Sequence, residues 1–223
     1  MVETFEHPTL LKENQIGGLI NRLDDERLAK KSQAHHRSPI AGKKATKQRP
    51  EQGSYDRAET VAGDPTAPHA VIVDRQNHVT HLFEKDKSSG DVKEIFATPD
   101  ATGKHLNWTP TGRYTIVERH WHPSYTPTEH SSKHKKPVTV PPGPDNPLGP
   151  AKVRLADSHG NWTNIEMHGT NDYSSVGNYA SHGCIRHHNS AIAGMYPFLR
   201  TGTPVYITDG FNPRQVLKNS DFR

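Results

Sequence analysis

From Pro68 onward, the chain consists of short runs of β-branched and aromatic residues separated by turn-forming residues. The runs cover residues 70–74, 79–84, 92–97, 113–118, 161–167 and 204–208. Runs this short and this rich in β-branched side chains favour strands over helices, so the sequence predicts a mostly β domain. One helix is predicted at residues 190–196, with Asn189 as its N-cap and Pro197 ending it.

The first part of the chain has a different composition. Only 31% of all residues are apolar, and the mean hydropathy is -0.87. Residues 32–68 are rich in charged and polar side chains and in proline, so we predict a linker or disordered arm there. Residues 9–31 carry leucine and isoleucine at a partly helical spacing, which fits either a short conditional helix or an exposed tail. We therefore divide the chain into a flexible N-terminal arm (1–68), one domain (69–210) and a tail (211–223).

Cys184 is the only cysteine of the chain, and it lies in the sequence Ser181-His182-Gly183-Cys184. A second His-Gly pair, at residues 168 and 169, precedes it. A thiol attacks as its thiolate and needs a base or a cationic neighbour, which these histidines can supply. Gly183 permits a tight turn that can aim backbone N–H groups at a developing oxyanion. A lone cysteine is often a small buried hydrophobe, but the polar residues around this one favour a loop and an acyl-transfer site.

These residues resemble the signature of the L,D-transpeptidases of the YkuD type, a histidine followed after a dozen or so residues by Ser/Thr-His-Gly-Cys. Residues 109–116, 141–149 and 202–207 are similar to further motifs of that family. The resemblance covers roughly residues 69 to 209. It implies a β-sandwich-like catalytic domain with one or two short helices and the nucleophile on a loop at its end.

The resemblance also implies roles for the residues of the signature. Cys184 would be the nucleophile and His168 the general base, and the backbone carbonyl of Gly169 would hold the second ring nitrogen of His168. The backbone N–H groups of Gly183 and Cys184 would form the oxyanion hole. His182 would shape the loop and support the site.

Other residues are candidate substrate ligands. Ser181 is either a donor to the substrate or a turn residue, and Arg186 either binds a carboxylate of the substrate or pins the loop to an acidic neighbour. Trp121 and Tyr125 are predicted to line a lid or a substrate groove. The family usually has an apolar residue after the arginine, whereas this chain has His187, so we expect position 187 to be more exposed than in relatives.

The function implied is cysteine-dependent acyl transfer on peptidoglycan tetrapeptide stems, with release of D-alanine. The acyl-enzyme would form 3-3 cross-links or exchange a D-amino acid, and carbapenems would acylate the cysteine. Four alternatives stay open: an L,D-carboxypeptidase, attachment of an outer-membrane lipoprotein, a wall-attacking toxin that uses the same acyl-enzyme, and a non-catalytic peptidoglycan-binding module.

The resemblance implies no cofactor, and we predict no metal site. His120, His122, His130 and His134 lie close together in the sequence, but they lack regular ligand spacing. The net charge of +4 and the pI near 9.1 fit either attraction to an anionic cell-wall polymer or simple solubility. The basic run at 43–49 comes with no base-reading motif, so no nucleic-acid partner is expected.

The chain as written begins without the apolar segment of a signal peptide and contains no transmembrane run. A wall-directed enzyme works in the periplasm or cell envelope. We therefore expect either a signal peptide absent from this chain or delivery by a system other than the general secretory route.

Overall fold

Nine strands and one α-helix make up the part of the chain that the structure, a computed structural model, describes: Tyr55 and residues 57–127 and 138–210. The strands are β1 His69–Asp74, β2 Val79–Lys85, β3 Val92–Gly103, β4 Gly112–Trp121, β5 Ala151–Ala156, β6 Trp162–His168, β7 Tyr179–Ser181, β8 Ile185–His187 and β9 Pro204–Thr208. The helix, α1, is Asn189–Met195, and two single 3-10 turns cover Leu106–Trp108 and Tyr173–Ser175. The mostly β prediction is therefore confirmed.

Several predictions fall on residues outside this description. They are the helix at 9–31, most of the linker, the tail at 211–223, and two histidines of the proposed cluster, His130 and His134. None of the helices that the structure describes is long and apolar enough to cross a membrane.

The six predicted strands are all present, and three more were missed. β5 has the alternating pattern of a strand, but it is short and contains a single β-branched residue, Val153. β7 and β8 have three residues each. The polar sequence after Cys184 was predicted to be a loop; this was wrong for Ile185–His187, because β8 pairs with β6 on one side and β3 on the other.

The sheet closes on itself. Its strand order is β2-β1-β9-β4-β5-β6-β8-β3-β7, and β3 also pairs with β2. The long strand β3 makes this closure, since its first part pairs with β2 and its last part with β8 and β7. The result is a barrel-like sandwich in which the ladder hydrogen bonds of β2 and β3 are satisfied across the seam.

The core lies inside this closed sheet and beneath α1. Alternate residues of the strands point inward, and the helix adds Ile192 and Met195 to the same core cluster. Each fully buried aliphatic side chain of this kind contributes about 1.5–3 kcal/mol. The cluster also contains Val71, Val73, Leu82, Ile116, Val153, Leu155, Met167, Ile185, Leu199, Val205 and Ile207.

The predicted cap of α1 was wrong. The N-cap is His188, without a side-chain cap hydrogen bond, and Asn189 is already the first helical residue. The Asn189 side chain is fully buried, and its Oδ1 accepts a hydrogen bond of 2.8 Å from the backbone N–H of Thr170. Asn189 therefore joins the helix to the segment that follows β6.

The last residues of the predicted linker pack on the domain. The backbone N–H of Glu59 donates to the carbonyl of Ser190 at 2.9 Å, and Val61 packs against the core cluster. A Cβ on Gly194 would lie 2.4 Å from the carbonyl oxygen of Glu59, so the segment crosses the helix at close range. In its described part the segment thus covers α1, unlike the free linker that composition predicted.

Candidate active site

Cys184 lies on the short turn between β7 and β8, and Ser181 holds that turn together. The Ser181 hydroxyl donates to the carbonyl of Cys184 at 2.6 Å and accepts from the N–H of Gly183 at 2.9 Å. Ser181 is only 1% exposed. Of the two predicted roles of Ser181, these contacts favour the turn residue, because both hydrogen bonds of its hydroxyl are used inside the turn.

Thr109, which follows the 3-10 turn Leu106–Trp108, contacts the loop that carries Cys184. The Thr109 hydroxyl donates to the carbonyl of Gly183 at 2.8 Å and accepts from the N–H of Gly103 at 3.0 Å. Gly183 has φ +126°, and a Cβ there would lie 2.6 Å from the carbonyl oxygen of Trp108. Only glycine fits this combination of dihedral and close approach. Thr109 belongs to a motif that the sequence had marked, but its contact with the loop was missed.

His182 stacks on Trp108. The two rings are 5.2 Å apart at an angle of 18°, and His105 meets the other side of Trp108 edge-on at 4.5 Å. The predicted supporting role of His182 agrees with this position beside the loop. Trp108 itself was missed, and the tryptophan just before the Thr109 motif is the signal that could have found it.

His168 is the last residue of β6 and is almost fully buried. Its Nδ1 lies 2.5 Å from the carbonyl oxygen of Gly169. A carbonyl can only accept, so Nδ1 carries the proton and Nε2 has a free lone pair. Burial lowers the pKa of His168 to about 4, against the opposing effect of the Gly169 carbonyl. The ring is therefore neutral at pH 7, which is the state a general base needs.

Gly169 is held in place by packing. A Cβ on this residue would lie 2.4 Å from Oδ1 of Asn189 and 2.9 Å from the Cα of Gly149. Gly149 has φ +62°, and a Cβ on it would lie 2.3 Å from the same Asn189 oxygen. The two glycines thus let three backbone segments meet behind His168, which fixes the carbonyl that orients the ring.

Strand register places the other charged groups on the same face of the sheet as Cys184. His168 pairs with Lys152 on β5 and with Arg186 on β8. Since alternate residues share a face, Glu166 and Cys184 lie on this face as well. The opposite face carries Met167 and Ile185 of the core.

Two carboxylates, Glu118 and Glu166, and three cations occupy this face, since Glu118 pairs with Arg154 across β4 and β5. Glu166 Oε1 accepts from Lys152 Nζ at 2.9 Å and from a terminal guanidinium nitrogen of Arg154 at 2.8 Å. Arg186 has no carboxylate partner among the described residues. The surroundings of Cys184 are therefore electropositive, with one guanidinium available for an anion.

The thiol of Cys184 is partly exposed, and its Sγ lies 3.8 Å from the carbonyl oxygen of Asn164. Burial raises the pKa of this thiol, while the backbone of Glu166 and the charge of Arg186 lower it by less. With His168 also neutral, the resting pair is a thiol and an imidazole, without the charges of a thiolate–imidazolium pair.

We therefore expect the alkylation of Cys184 by iodoacetamide to have a midpoint above that of free cysteine, because burial disfavours the thiolate. The measurement is the alkylation rate between pH 5 and 10, with the urea-unfolded protein as reference and Cys184→Ser as blank. A midpoint below neutral pH would show that the resting site is an ion pair and contradict this account.

Register places Trp121 on the other face of the sheet, and the described contacts of Tyr125 do not tie it to Cys184. Trp121 pairs with Ala151, so it lies on the side of the sheet that packs against α1. Its ring contacts His122 at 4.9 Å and Tyr196 at 5.2 Å. Its predicted place in a lid or substrate groove stays a prediction. The described contacts of Tyr125 are a backbone bridge to Val140.

A buried asparagine that the sequence reading missed organises this region. The Asn146 side-chain amide donates to the carbonyl of Pro123 at 2.8 Å, and weaker contacts reach Val140 and Pro141. Its Oδ1 accepts from the N–H of Leu148 at 2.8 Å. Asn146 thereby clamps both ends of the insertion that follows β4. Across residues 57–127 and 138–210, no three histidine, cysteine or acidic side chains are grouped to hold a metal ion.

Comparison with known proteins supplies the family. A family model described as the L,D-transpeptidase catalytic domain, YkuD, matches residues 68–207. YqjB of Bacillus subtilis, named as an L,D-transpeptidase, is 30% identical over 146 residues, which are 65% of this chain and 73% of that protein. A Fuscovulum blasticum protein of the ATP synthase subunits region with the same enzyme name is 34% identical over 138 residues, or 61% of this chain and 68% of that protein.

Solved structures are similar at lower identity. An L,D-transpeptidase from Mycobacterium smegmatis matches with a TM-score of 0.46 and 19% identity, over 64% of this chain and 59% of that chain. Bd1075 of Bdellovibrio bacteriovorus matches with a TM-score of 0.48 and 18% identity, over 71% of this chain and 54% of that chain. The present chain thus matches between half and three fifths of these two solved chains.

Proposed function

The chain belongs to the L,D-transpeptidase family of YkuD catalytic domains, and on that premise we propose that it is a cysteine acyltransferase acting on peptidoglycan tetrapeptide stems. The observation that carries this proposal is the arrangement of Cys184 and His168 on one face of the sheet. His168 is neutral, and Gly169 orients its ring with Nε2 free. A buried neutral base on the same face of the sheet as a thiol has the composition that nucleophilic acyl transfer requires.

In the proposed first step, Nε2 of His168 removes the proton of the Cys184 thiol while the sulfur attacks the carbonyl between the third and fourth residues of the stem. The tetrahedral intermediate collapses with cleavage of the C–N bond. The leaving D-alanine amine takes the proton from His168, and a thioester remains on Cys184. The side-chain amine of a second stem then attacks the thioester and gives a proton to His168, the C–S bond breaks, and the leaving sulfur takes that proton back to restore the thiol.

The oxyanion is stabilised by fewer backbone donors than the sequence had predicted. The N–H of Gly183 is already bound to the Ser181 hydroxyl, which leaves the N–H of Cys184 as the donor at the turn. One donor of this kind is commonly worth about 2.7–4 kcal/mol in the transition state. The electropositive face around Cys184 adds to this stabilisation.

Arg186 is the substrate ligand that we assign with most structural support. Lys152 pairs with Glu166, and Arg154 pairs with both Glu166 and Glu118, whereas the Arg186 guanidinium lacks a described carboxylate partner. Arg186 is two residues after Cys184 and shares its face. A guanidinium on the same face as the nucleophile fits a carboxylate of the stem peptide.

The acceptor decides which activity results. Water at the thioester gives an L,D-carboxypeptidase, a free D-amino acid gives exchange, and a second stem gives a 3-3 cross-link. A toxin that attacks a rival's wall would use the same acyl-enzyme. We place the reaction outside the cytoplasm, in the periplasm or cell envelope, because the proposed substrate is there.

The test is to incubate the protein and its Cys184→Ala variant with disaccharide-tetrapeptide, with and without a free D-amino acid, and to identify products by mass spectrometry. We expect cysteine-dependent loss of D-alanine together with a cross-linked dimer or an exchanged stem. A carbapenem should add its mass at Cys184 in the folded protein. Absence of both D-alanine release and the adduct would overturn the proposal in favour of a non-catalytic peptidoglycan-binding module.

A further inference from the structure

Three buried polar side chains form a connected chain next to the candidate active site: Thr80 on β2, Asp100 on β3 and His187 on β8. Each of them has an exposed fraction of 0%. Thr80 Oγ1 lies 2.7 Å from Asp100 Oδ2 and 3.0 Å from His187 Nε2. Asp100 and His187 are also direct partners in the β3–β8 ladder. The expectation that position 187 is exposed was therefore wrong, because its side chain points into the closed sheet.

The carboxyl group of Asp100 has no cationic partner among the described residues, and its Oδ1 has no hydrogen-bond partner there. A buried carboxylate in this situation is expensive to ionise. Burial, opposed by the Thr80 hydrogen bond and assisted by the charge of Asp74, raises the pKa of Asp100 to about 7. Burial lowers the pKa of His187 to about 3, with the same direction from His168 and His188. At mildly acidic pH the side chains of Thr80, Asp100 and His187 are therefore all uncharged.

His187, at one end of this hydrogen-bonded series, lies on the strand next to β6, which carries the candidate base His168. His187 Nε2 meets Thr80, whereas His187 Nδ1 makes no well-aligned hydrogen bond. The backbone of His168 lies close enough to the ring to favour protonation of His187. Because Nε2 meets Thr80 and β8 lies beside β6, we assign Nδ1 as the ring nitrogen nearer that backbone.

Thr80 has one hydroxyl proton, so it can donate to Asp100 or to His187 but not to both. When Asp100 is protonated, it donates to Thr80, Thr80 donates to His187 Nε2, and the ring proton of His187 sits on Nδ1. When Asp100 loses its proton, Thr80 must donate to the carboxylate, and the ring proton moves to Nε2 to donate to Thr80. Nδ1 then presents a lone pair towards the carbonyl of His168.

We propose that Asp100, Thr80 and His187 are positioning residues that hold the backbone of His168 in its working place while Asp100 is protonated, and release it when Asp100 ionises. The link to catalysis rests on the proposed function, in which His168 is the base. The link between the protonation of Asp100 and the tautomer of His187 does not depend on the proposed function. Titratable groups near the chain, besides its own members, are Asp74 at the end of β1, His168 on β6 and His188 before α1.

The first experiment needs no substrate. The ¹⁵N chemical shifts of the His187 ring are followed from pH 5 to 9 in the wild-type protein. We expect the ring to stay neutral and to change from the Nδ1–H to the Nε2–H tautomer with a midpoint near pH 7. A single tautomer over the whole range would overturn the proposal.

The second experiment uses Asp100→Asn, in which an amide of the same shape donates to Thr80 at every pH. Asp91→Asn, at an exposed carboxylate, is the matched control. The acylation rate of wild type and control should fall several-fold between pH 6 and 8, whereas that of Asp100→Asn should not fall. Equal pH profiles for Asp100→Asn and the control would refute the catalytic link.

Thermal unfolding gives the same test without catalysis. The folded state holds the Asp100 proton more tightly than the unfolded state, so the wild type loses stability as the pH rises from about 4 to 7. The gap between the unfolding midpoints of Asp100→Asn and the wild type should therefore widen over this range and become constant above it. A gap independent of pH would contradict the burial of a proton at Asp100. If the activity test of the proposed function fails, the ¹⁵N shifts of His187 and the unfolding midpoints of Asp100→Asn still test the link between Asp100 and His187.

Discussion

Replacement of His168 by glutamine is expected to slow the acylation of Cys184 by about 10²–10⁴-fold, the usual contribution of a positioned general base. The thiol has a raised pKa and the imidazole a pKa lowered to about 4, so the attack depends on proton transfer during the reaction. Glutamine keeps a polar group of similar length, but it has no nitrogen lone pair that can take the proton. The measurement is the rate of carbapenem adduct formation by mass spectrometry under single-turnover conditions.

The matched control for this variant is His182→Gln. His182 belongs to the same loop region, but its ring stacks on Trp108 and is not held as a base. We expect it to lose less than about 10-fold, in the range of lost packing and not of lost proton transfer. Equal losses in both variants, with circular dichroism showing intact folds, would mean that His168 is not the base.

Replacement of Gly183 by alanine is expected to reduce acylation by at least about 10²-fold, because it displaces both the nucleophile and the adjacent oxyanion donor. The new Cβ would lie 2.6 Å from the carbonyl oxygen of Trp108, and the residue has φ +126°. Strained backbone of this kind costs about 1–3 kcal/mol, so the fold should survive while the loop shifts. The measurements are the acylation rate and the free energy of unfolding in urea.

Gly177→Ala is the control that separates the cost of a positive φ from displacement of the cysteine loop. Gly177 also has a positive φ, +87°, but a Cβ there would meet nothing within 4 Å. It should lose stability by a similar amount and keep its acylation rate within a few-fold of wild type. A Gly183→Ala variant that loses stability but keeps its acylation rate would show that the Trp108 contact does not position Cys184.

The parts of the fold that sequence predicted are those in which local pattern and burial agree. Strand β9 was predicted with its observed bounds, because its β-branched residues alternate between two turns. Strand β8 was not predicted, because an arginine and a histidine stand where a core strand usually has apolar residues. What makes β8 a strand is its pairing with β6 and β3, which are distant in sequence, and the partner that Thr80 offers to His187.

The candidate site divides in the same way. Cys184, His168 and the carbonyl of Gly169 could be identified by chemistry and resemblance, because nucleophile, base and orienting group have recognisable residue types. The roles of Ser181 and Trp121 could not be decided from sequence, since a hydroxyl and an aromatic ring serve equally well in a turn, in a packed surface or in a groove. Which of these applies depends on register and burial, and only the folded chain defines those.

The closure of the barrel has a consequence for the order of assembly. β1 and β9 lie side by side as a parallel pair, with Val71 opposite Val205, although they are the first and last strands of the domain. Contacts between residues so far apart in the chain carry a large loop-closure entropy and form late and slowly. A chain emerging from the ribosome therefore cannot complete the sheet before residues 204–208 have appeared. On the proposed function, Cys184 and His168 come to share one face only in the finished domain, so an unfolded chain would lack the acyl-transfer activity.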